Sequence, residues 1–258
     1  MHADWLIPDW PAPAGVQAVF TTRAGGISAA PHDSMNLGDH VGDLPAKVAA
    51  NRALLRQALG SRAVFLQQVH GSDVLALDTA TDDGLQADAC LTKEAGVACT
   101  IMVADCLPVL LATEDGATVA AAHAGWRGLA GQGGQGVLES VHAAMKAGTR
   151  ALAWLGPCIG PSAFEVGAEV KAAFEAVQPE AGRLFAPSSA GKYLADLPGL
   201  ARLRLKALGI TQLYGNDGSD AWCTVRNPSK FFSHRRDAGP TGNGFGTTGR
   251  MAACIWRV

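Results

Sequence analysis

No Cys-x-x-Cys pair occurs among the six cysteines, which lie scattered at Cys90, Cys99, Cys106, Cys158, Cys223 and Cys254. The chain is long enough at 258 residues to bury a core without staples, so reduced thiols in a cytoplasmic protein are the expectation. Charge is also scarce. Only 17% of residues are charged and the formal net charge is -2, so no global field draws in nucleic acid or an anionic membrane. The opening stretch MHADWLIPDWPAPAG has neither a basic n-region nor a long apolar h-region, which argues against a signal peptide. No uninterrupted apolar run reaches the ~18 residues of a membrane-spanning helix. Internal repeats, low-complexity tracts and obvious linkers are likewise missing.

What the chain does have is apolar residues at 48% and 31 glycines, the composition of a globular protein with buried strands. VQAVFTTRAGGIS reads as a strand entering a glycine-rich turn. LPAKVAANRALLRQALG has apolar residues at helical spacing and stops at Gly60, a C-terminal cap. AVFLQQVHGSDVLAL reads as two strands broken at HGSD. The long run GVACTIMVADCLPVLLATEDGATVAAAHAG suits strands covered on both faces. GVLESVHAAMKAG, FEVGAEVKAAFEAV and LADLPGLARLRLKALG predict helices, the last interrupted at Pro198. ALAWLGPCIG predicts a strand, and CTVRN, FFSHRRD and MAACIWRV predict short ones. Strands and helices mix without strict alternation, so the expected fold is an α/β, or α+β-like, layered sandwich of mixed β-sheets flanked by helices.

One hairpin carries chemistry. Asp115-Gly116 between apolar runs is a two-residue turn signal, and it pairs Glu114 with Ala117. Continued along the strands, this register sets His123 opposite Pro108 and Cys106 opposite Gly125. Cys106 and His123 then project to the same face as diagonal neighbours at the open end of the hairpin. A slip of one residue would separate them. A thiol and an imidazole so placed suit either a metal or a Cys-His nucleophile pair. A third ligand should be another histidine at a strand end, and His70 in QQVHG is the best placed. His234 in FFSHRRD is its rival; His142 falls in a helix, His2 is terminal, and His32 and His40 sit in polar loops.

The blocks QQVHG, ADCLPVLL, AAHAGWRGLA, AWLGPCIGP, FEVGAEV and FFSHRRD…TGR resemble the YfiH-like laccase-domain family, also called the multicopper polyphenol oxidase family. The resemblance runs from VFTTRAGGIS to ACIWRV. It implies a cytoplasmic single domain over residues 1–258 and a zinc site matching His70, Cys106 and His123. It further implies phosphorolysis of purine nucleosides (adenosine, inosine, guanosine and methylthioadenosine) with adenosine deamination as a second activity. The family also carries the labels of polyphenol oxidase, or laccase, and of an editor of cell-wall precursors. The chain departs from the family pattern at AGPTGNGFGT, residues 238–247, where a very short turn is usual, and at His234, where tyrosine is common.

Seven histidines without a His-x-His pair fall short of the order of ten that a four-copper oxidase needs, so zinc is expected before copper. The His-x-Glu and Pro-Cys-x-x-Cys signature of the dedicated zinc deaminases is missing too. Phosphorolysis requires inorganic phosphate as co-substrate. Arg127, in a glycine-rich loop running from strand to helix, is the foremost candidate to bind it, against a surface salt bridge; Arg23 and Arg52 are weaker ones. Asp105 reads either as an orienter or proton acceptor for the site or as a plain turn carboxylate. Trp126 reads as a packing residue. RNPSKFFSHRRD is basic and aromatic, but at this net charge it fits a structural or phosphate role better than nucleic acid. Two other functions stay open: a hydrolase with Cys106 as nucleophile and His123 as base, and a metal- or partner-binding module without catalysis. Small-molecule nucleosides and phosphate are the expected partners, with no membrane, in a monomer or homodimer.

Overall fold

The computed structural model of the chain describes residues 1–146, 150–189, 191–238, 244 and 246–258. Its strands and helices are numbered along the sequence. MAACIWR, all but its last residue buried, forms β13 (Met251–Arg257) and lies between β1 (Val16–Phe20) and β5 (Val97–Val103), antiparallel to both. A strand covered by neighbours on both edges needs such a continuous apolar run. With β2 (Arg62–Phe65) parallel on the far side of β5, the four-stranded sheet has the order β1-β13-β5-β2.

A six-stranded sheet lies across it, built from β3 (Val74–Ala76), β4 (Ala89–Thr92), β6 (Leu107–Thr113), β7 (Val119–Ala124), β8 (Ala151–Leu155) and β12 (Gln212–Gly215) in the order β12-β8-β6-β7-β4-β3. Leu110, Ala112, Ala121 and Cys90 of this sheet meet Cys99, Ile101, Ala253 and Ile255 of the first. Most of these side chains are small, so the two sheets approach closely. On its other face, Val109, Leu111, Ala120 and Ala122 pack beneath α3 (Val137–Ala144), α4 (Ala168–Glu175) and α5 (Leu197–Ala207). The outer face of the first sheet, with Phe65, Ala98 and Trp256, is covered by α1 (Pro45–Leu59) through Leu55 and Leu59. The order of layers is therefore helix, sheet, sheet, helix, the mixed α/β sandwich that the sequence predicts. A small third sheet of β9 (Glu165–Gly167), β10 (Phe185–Pro187) and β11 (Lys192–Ala195) edges the helical side.

Helix α1 follows from its sequence: Pro45 starts it, Val48, Asn51, Leu55 and Leu59 turn one face inward, and Gly60 ends it at φ 63. Elsewhere the structure corrects the reading. Pro198 does not interrupt a helix. It lies in the first turn of α5, where a proline is tolerated, and the Asp196 side chain caps that turn by accepting from the Gly199 N–H. The first residues of FEVGAEVKAAFEAV and of LADLPGLARLRLKALG lie in strands β9 and β11, not helix. WRGLA, read as loop, is the short helix α2 (Trp126–Ala130). CTVRN forms turns, and the SHRRD end of FFSHRRD leads into the short helix α6 (His234–Asp237). Phe231 and Phe232 are buried from an irregular segment, so their apolar character reported burial and not a strand. The 238–247 stretch falls largely outside the described residues.

Candidate metal centre

The β6–β7 hairpin has the predicted register, with Pro108 opposite His123 and the ladder ending at Leu107 opposite Ala124. Its turn is longer than two residues. Thr113 and Thr118 close it, the Thr118 carbonyl accepting from the Thr113 N–H at 3.0 Å. Glu114 does not pair with Ala117; its N–H donates instead to the Arg150 carbonyl at 3.0 Å. The loop widened by one residue on each side, so the pairing beyond it is unchanged and Cys106 and His123 still share a face. That face looks toward the four-stranded sheet, at the end where the two sheets open.

His70 arrives from the first sheet. Strand β2 stops at Phe65, so His70 is not a strand-end residue; it occupies a turn with φ 62. Asp88 holds that turn. Its Oδ1 accepts from the His70 N–H at 2.9 Å, and its Oδ2 accepts from the N–H groups of Val69 and Gly71 at 3.1 and 2.7 Å. The same Oδ1 lies 2.8 Å from Nδ1 of His123. One fully buried carboxylate thus fixes the backbone that carries one histidine and the ring of the other. Asp88 immediately precedes β4, where Ala89 pairs with Ala122, so the antiparallel register sets it opposite His123. The sequence reading missed Asp88. The available signal was an aspartate inside the buried-looking run QADACL.

Sγ of Cys106 lies 3.7 Å from Nε2 of His70, and the rings of His70 and His123 are 4.8 Å apart. One donor atom from each of His70, Cys106 and His123 lies within 4.8 Å of the others, the only such trio with metal-ligand chemistry among the described residues. Zinc bonded to sulfur at about 2.3 Å and to nitrogen at about 2.0–2.1 Å in a tetrahedron sets those atoms roughly 3.5 Å apart; Cys106 and His70 are at 3.7 Å, and all three donors lie within 4.8 Å of one another. With Nδ1 of His123 committed to Asp88, Nε2 is the nitrogen left to face the trio. The residues fit a zinc site with one open position.

Electrostatics agree with a ligating thiolate. Burial pushes the Cys106 thiol up, but the neighbouring His123 and His70 overrule it and bring it down to about 6. Burial pushes His123 down, while the Cys106 thiolate and Asp88 raise it to about 9. Near neutral pH the pair therefore rests as thiolate and imidazolium, and one proton leaves when both ligate a cation. Burial also raises Asp88, yet the bonds from His123 and the backbone hold it below its ordinary value.

The trio opens into a cavity of about 480 Å³ whose walls include Asp105, Trp126, Arg127, Phe164, Arg235 and Arg250. Asp105 stands at φ 99 with both carboxylate oxygens engaged, Oδ1 accepting from the Thr224 hydroxyl and Oδ2 from the Arg235 N–H, each at 2.6 Å. It orients neighbours. Arg127 is exposed in α2, with its guanidinium 4.4 Å over the Trp126 ring and no carboxylate partner among the described residues. The structure does not bring Arg23 and Arg52 into the cavity wall. Arg23 donates to the Asp33 and Pro228 carbonyls and pairs with Asp33; Arg52 donates to the Leu37 carbonyl and pairs with Asp39. His234, the rival ligand, lines the cavity but lies outside the trio, while His40, read as a loop residue, also reaches the wall.

Gly125 accounts for part of the spacing after His123. A Cβ there would lie 3.0 Å from Sγ of Cys106 and 3.0 Å from Cδ2 of His70. Its φ of -64 suits any residue, so the constraint comes from the site and not the backbone. Gly125→Ala is expected to fold with a nearly unchanged Tm while metal affinity falls roughly tenfold or more, because small displacements of reacting groups are costly. Chelator competition on the purified variant checks this, and an unchanged affinity refutes it.

Residues 17–258 match the family described as multi-copper polyphenol oxidoreductase laccase. The chain is 48% identical over 254 residues to a purine nucleoside phosphorylase of Pseudomonas aeruginosa, covering 98% of each chain. It is 47% identical over 256 residues to the Escherichia coli purine nucleoside phosphorylase YfiH, again covering 98% of each. Among solved structures it resembles a Neisseria meningitidis protein with a TM-score of 0.89 and 45% identity, covering 98% of this chain and 99% of that one.

Proposed function

Because this chain belongs to the multi-copper polyphenol oxidoreductase laccase family, matching it over residues 17–258, we propose that its His-Cys-His site serves purine nucleoside phosphorolysis and not copper oxidation. The observation that carries the reading is the trio His70, Cys106 and His123 at the floor of a cavity of about 480 Å³, within the roughly 300–1,000 Å³ of small-molecule sites. The names of the relatives at 47–48% identity support it. Seven histidines and one His-Cys-His group suit a single zinc better than a copper cluster. Zinc held by His70, Cys106 and His123 would supply a Lewis acid that polarises oxygen.

In the reaction a phosphate oxygen attacks C1′ of the nucleoside, the C1′–N9 bond breaks, and the purine leaves with a proton, giving free base and ribose 1-phosphate. Asp88 keeps His123 in one tautomer and His70 in its turn. Asp105 fixes the segment that carries Arg235. Arg127 offers its guanidinium to an anion, and Met102, Ile159, Phe164 and Leu197 give the cavity an apolar wall for a purine. Adenosine, inosine, guanosine and methylthioadenosine are the proposed substrates. Adenosine deamination, in which water adds at C6 and ammonia leaves, is a side reaction of the same pocket. The six cysteines are free, consistent with work in the cytoplasm.

A second reading, Cys106 as the nucleophile of a hydrolase, is favoured by its depressed pKa of about 6 beside His123. The test is release of free base from the four nucleosides with and without phosphate, together with elemental analysis. Base and sugar 1-phosphate (ribose 1-phosphate, or 5-methylthioribose 1-phosphate from methylthioadenosine) in equal amounts, only when phosphate is present, are expected. Base release at equal rates without phosphate would overturn the phosphorolytic reading, and alkylation sensitivity without metal dependence would favour the hydrolase.

A further inference from the structure

The cavity wall holds a second group of side chains that the metal trio does not use. Arg235 sends one N–H of its guanidinium to the Glu165 carbonyl at 3.2 Å and lies 5.8 Å over the Phe164 ring. Arg250 donates through a single nitrogen, Nη1, to the Thr248 and Gly249 carbonyls at 3.0 and 3.2 Å. No carboxylate pairs with either guanidinium among the described residues, whereas Arg23, Arg52, Arg56, Arg150 and Arg236 each have one. The one carboxylate in the cavity wall, Asp105, has both oxygens occupied. Each guanidinium has five N–H donors, so most of them lack a protein acceptor among the described residues.

The Arg250 side chain is held in place, and so is the backbone that carries the exposed side chain of Arg235. The Arg235 backbone is tied to Asp105, as described above. The Arg250 stem runs across Gly38, where a Cβ would come within 2.7 Å of its Cγ, so only glycine lets it through. Two guanidiniums without a direct carboxylate ion pair, Arg250 within electrostatic reach of Cys106 and Asp105, offer the forks that recognise tetrahedral oxyanions.

We infer that Arg235 and Arg250 form the subsite for inorganic phosphate in this cavity, beside Cys106, with Arg127 at its outer edge. The inference rests on the phosphorolytic reading for its ligand, and it assigns the anion to residues other than Arg23 and Arg52.

The test titrates the purified protein, with the metal it carries, with inorganic phosphate and with adenosine 5′-monophosphate. Thermal stability is followed at constant ionic strength, and KM is measured for phosphate and for inosine. Phosphate is expected to raise Tm in the wild type, with the rise lost in Arg235→Gln and in Arg250→Lys, which keeps the charge but loses the fork. In both variants KM for phosphate should rise at least about tenfold while KM for inosine stays within about twofold. Because Arg250 is partly buried, Arg235→Gln carries the test alone if the Arg250 variant fails to fold. Unchanged phosphate protection and KM in Arg235→Gln overturn the subsite even if the wild type phosphorolyses nucleosides. Protection by the nucleotide alone overturns it too. Protection by phosphate that depends on both arginines, in a protein that releases base without phosphate, upholds the subsite and refutes the phosphorolytic reading.

Discussion

Replacing Cys106 with alanine is expected to abolish zinc retention and reduce phosphorolysis to background while leaving the fold intact. The trio has a single sulfur donor, and its thiolate is the one anionic ligand in the set. With it removed, two imidazoles remain, one of them exposed on a turn. Removing even a hydrogen-bonding partner of a ligand costs about 10–100-fold in metal affinity, so losing the ligand itself costs more. Cys106 is half-buried and stands just outside the β6 ladder, so its removal leaves the sheet pairing alone. Elemental analysis after dialysis, paired with circular dichroism, reads both effects. A variant that keeps its zinc but loses turnover would point to Cys106 as a nucleophile. One that keeps both would remove it from the site altogether.

Asp88→Asn is the second large effect, and it touches no substrate. The asparagine oxygen can still accept from His123 and from the His70 N–H. Its amide, however, then faces the donors of Val69 and Gly71, leaving two backbone N–H groups without an acceptor. Each unsatisfied buried donor costs about 1–3 kcal/mol. The turn carrying His70 loosens, and the negative charge that held the His123 tautomer is gone. Metal affinity should fall about 10–100-fold, measured by chelator competition, and urea unfolding should show a loss of about 2 kcal/mol or more. A purely structural carboxylate would lower stability and leave the affinity of the folded fraction where it was.

How far the sequence reached follows from where each contact originates. Cys106 and His123 were legible because one hairpin joins them, and a turn that widens symmetrically preserves which residues share a face. Asp88 was not legible: its place opposite His123 depends on β4 meeting β7, a pairing that no local turn announces. His70 reads in the sequence as a strand-end residue, yet it sits in a turn that the Asp88 carboxylate holds. Arg235 lies in RNPSKFFSHRRD, whose structural or phosphate role the sequence offers without singling it out, and Arg250 is hidden: both are far in sequence from Cys106 and His123, and the paired Arg23 and Arg52 carry the same side chain. The layered fold was legible from the buried runs. The errors gathered where short strands precede helices or where aromatic residues are buried from irregular segments.

The close approach of the two sheets has a consequence for the distant interior. His70 belongs to the chain leaving one sheet, and Cys106 and His123 to the other, so the donor atoms gauge the gap between them. That gap is set by small side chains such as Ala112, Ala121, Cys90, Cys99 and Ala253. A close-packed interior transmits strain and does not absorb it. A bulkier residue at Ala112, near the turn end of the hairpin and away from its open end, would therefore be felt as a change in bite at the mouth of the sandwich.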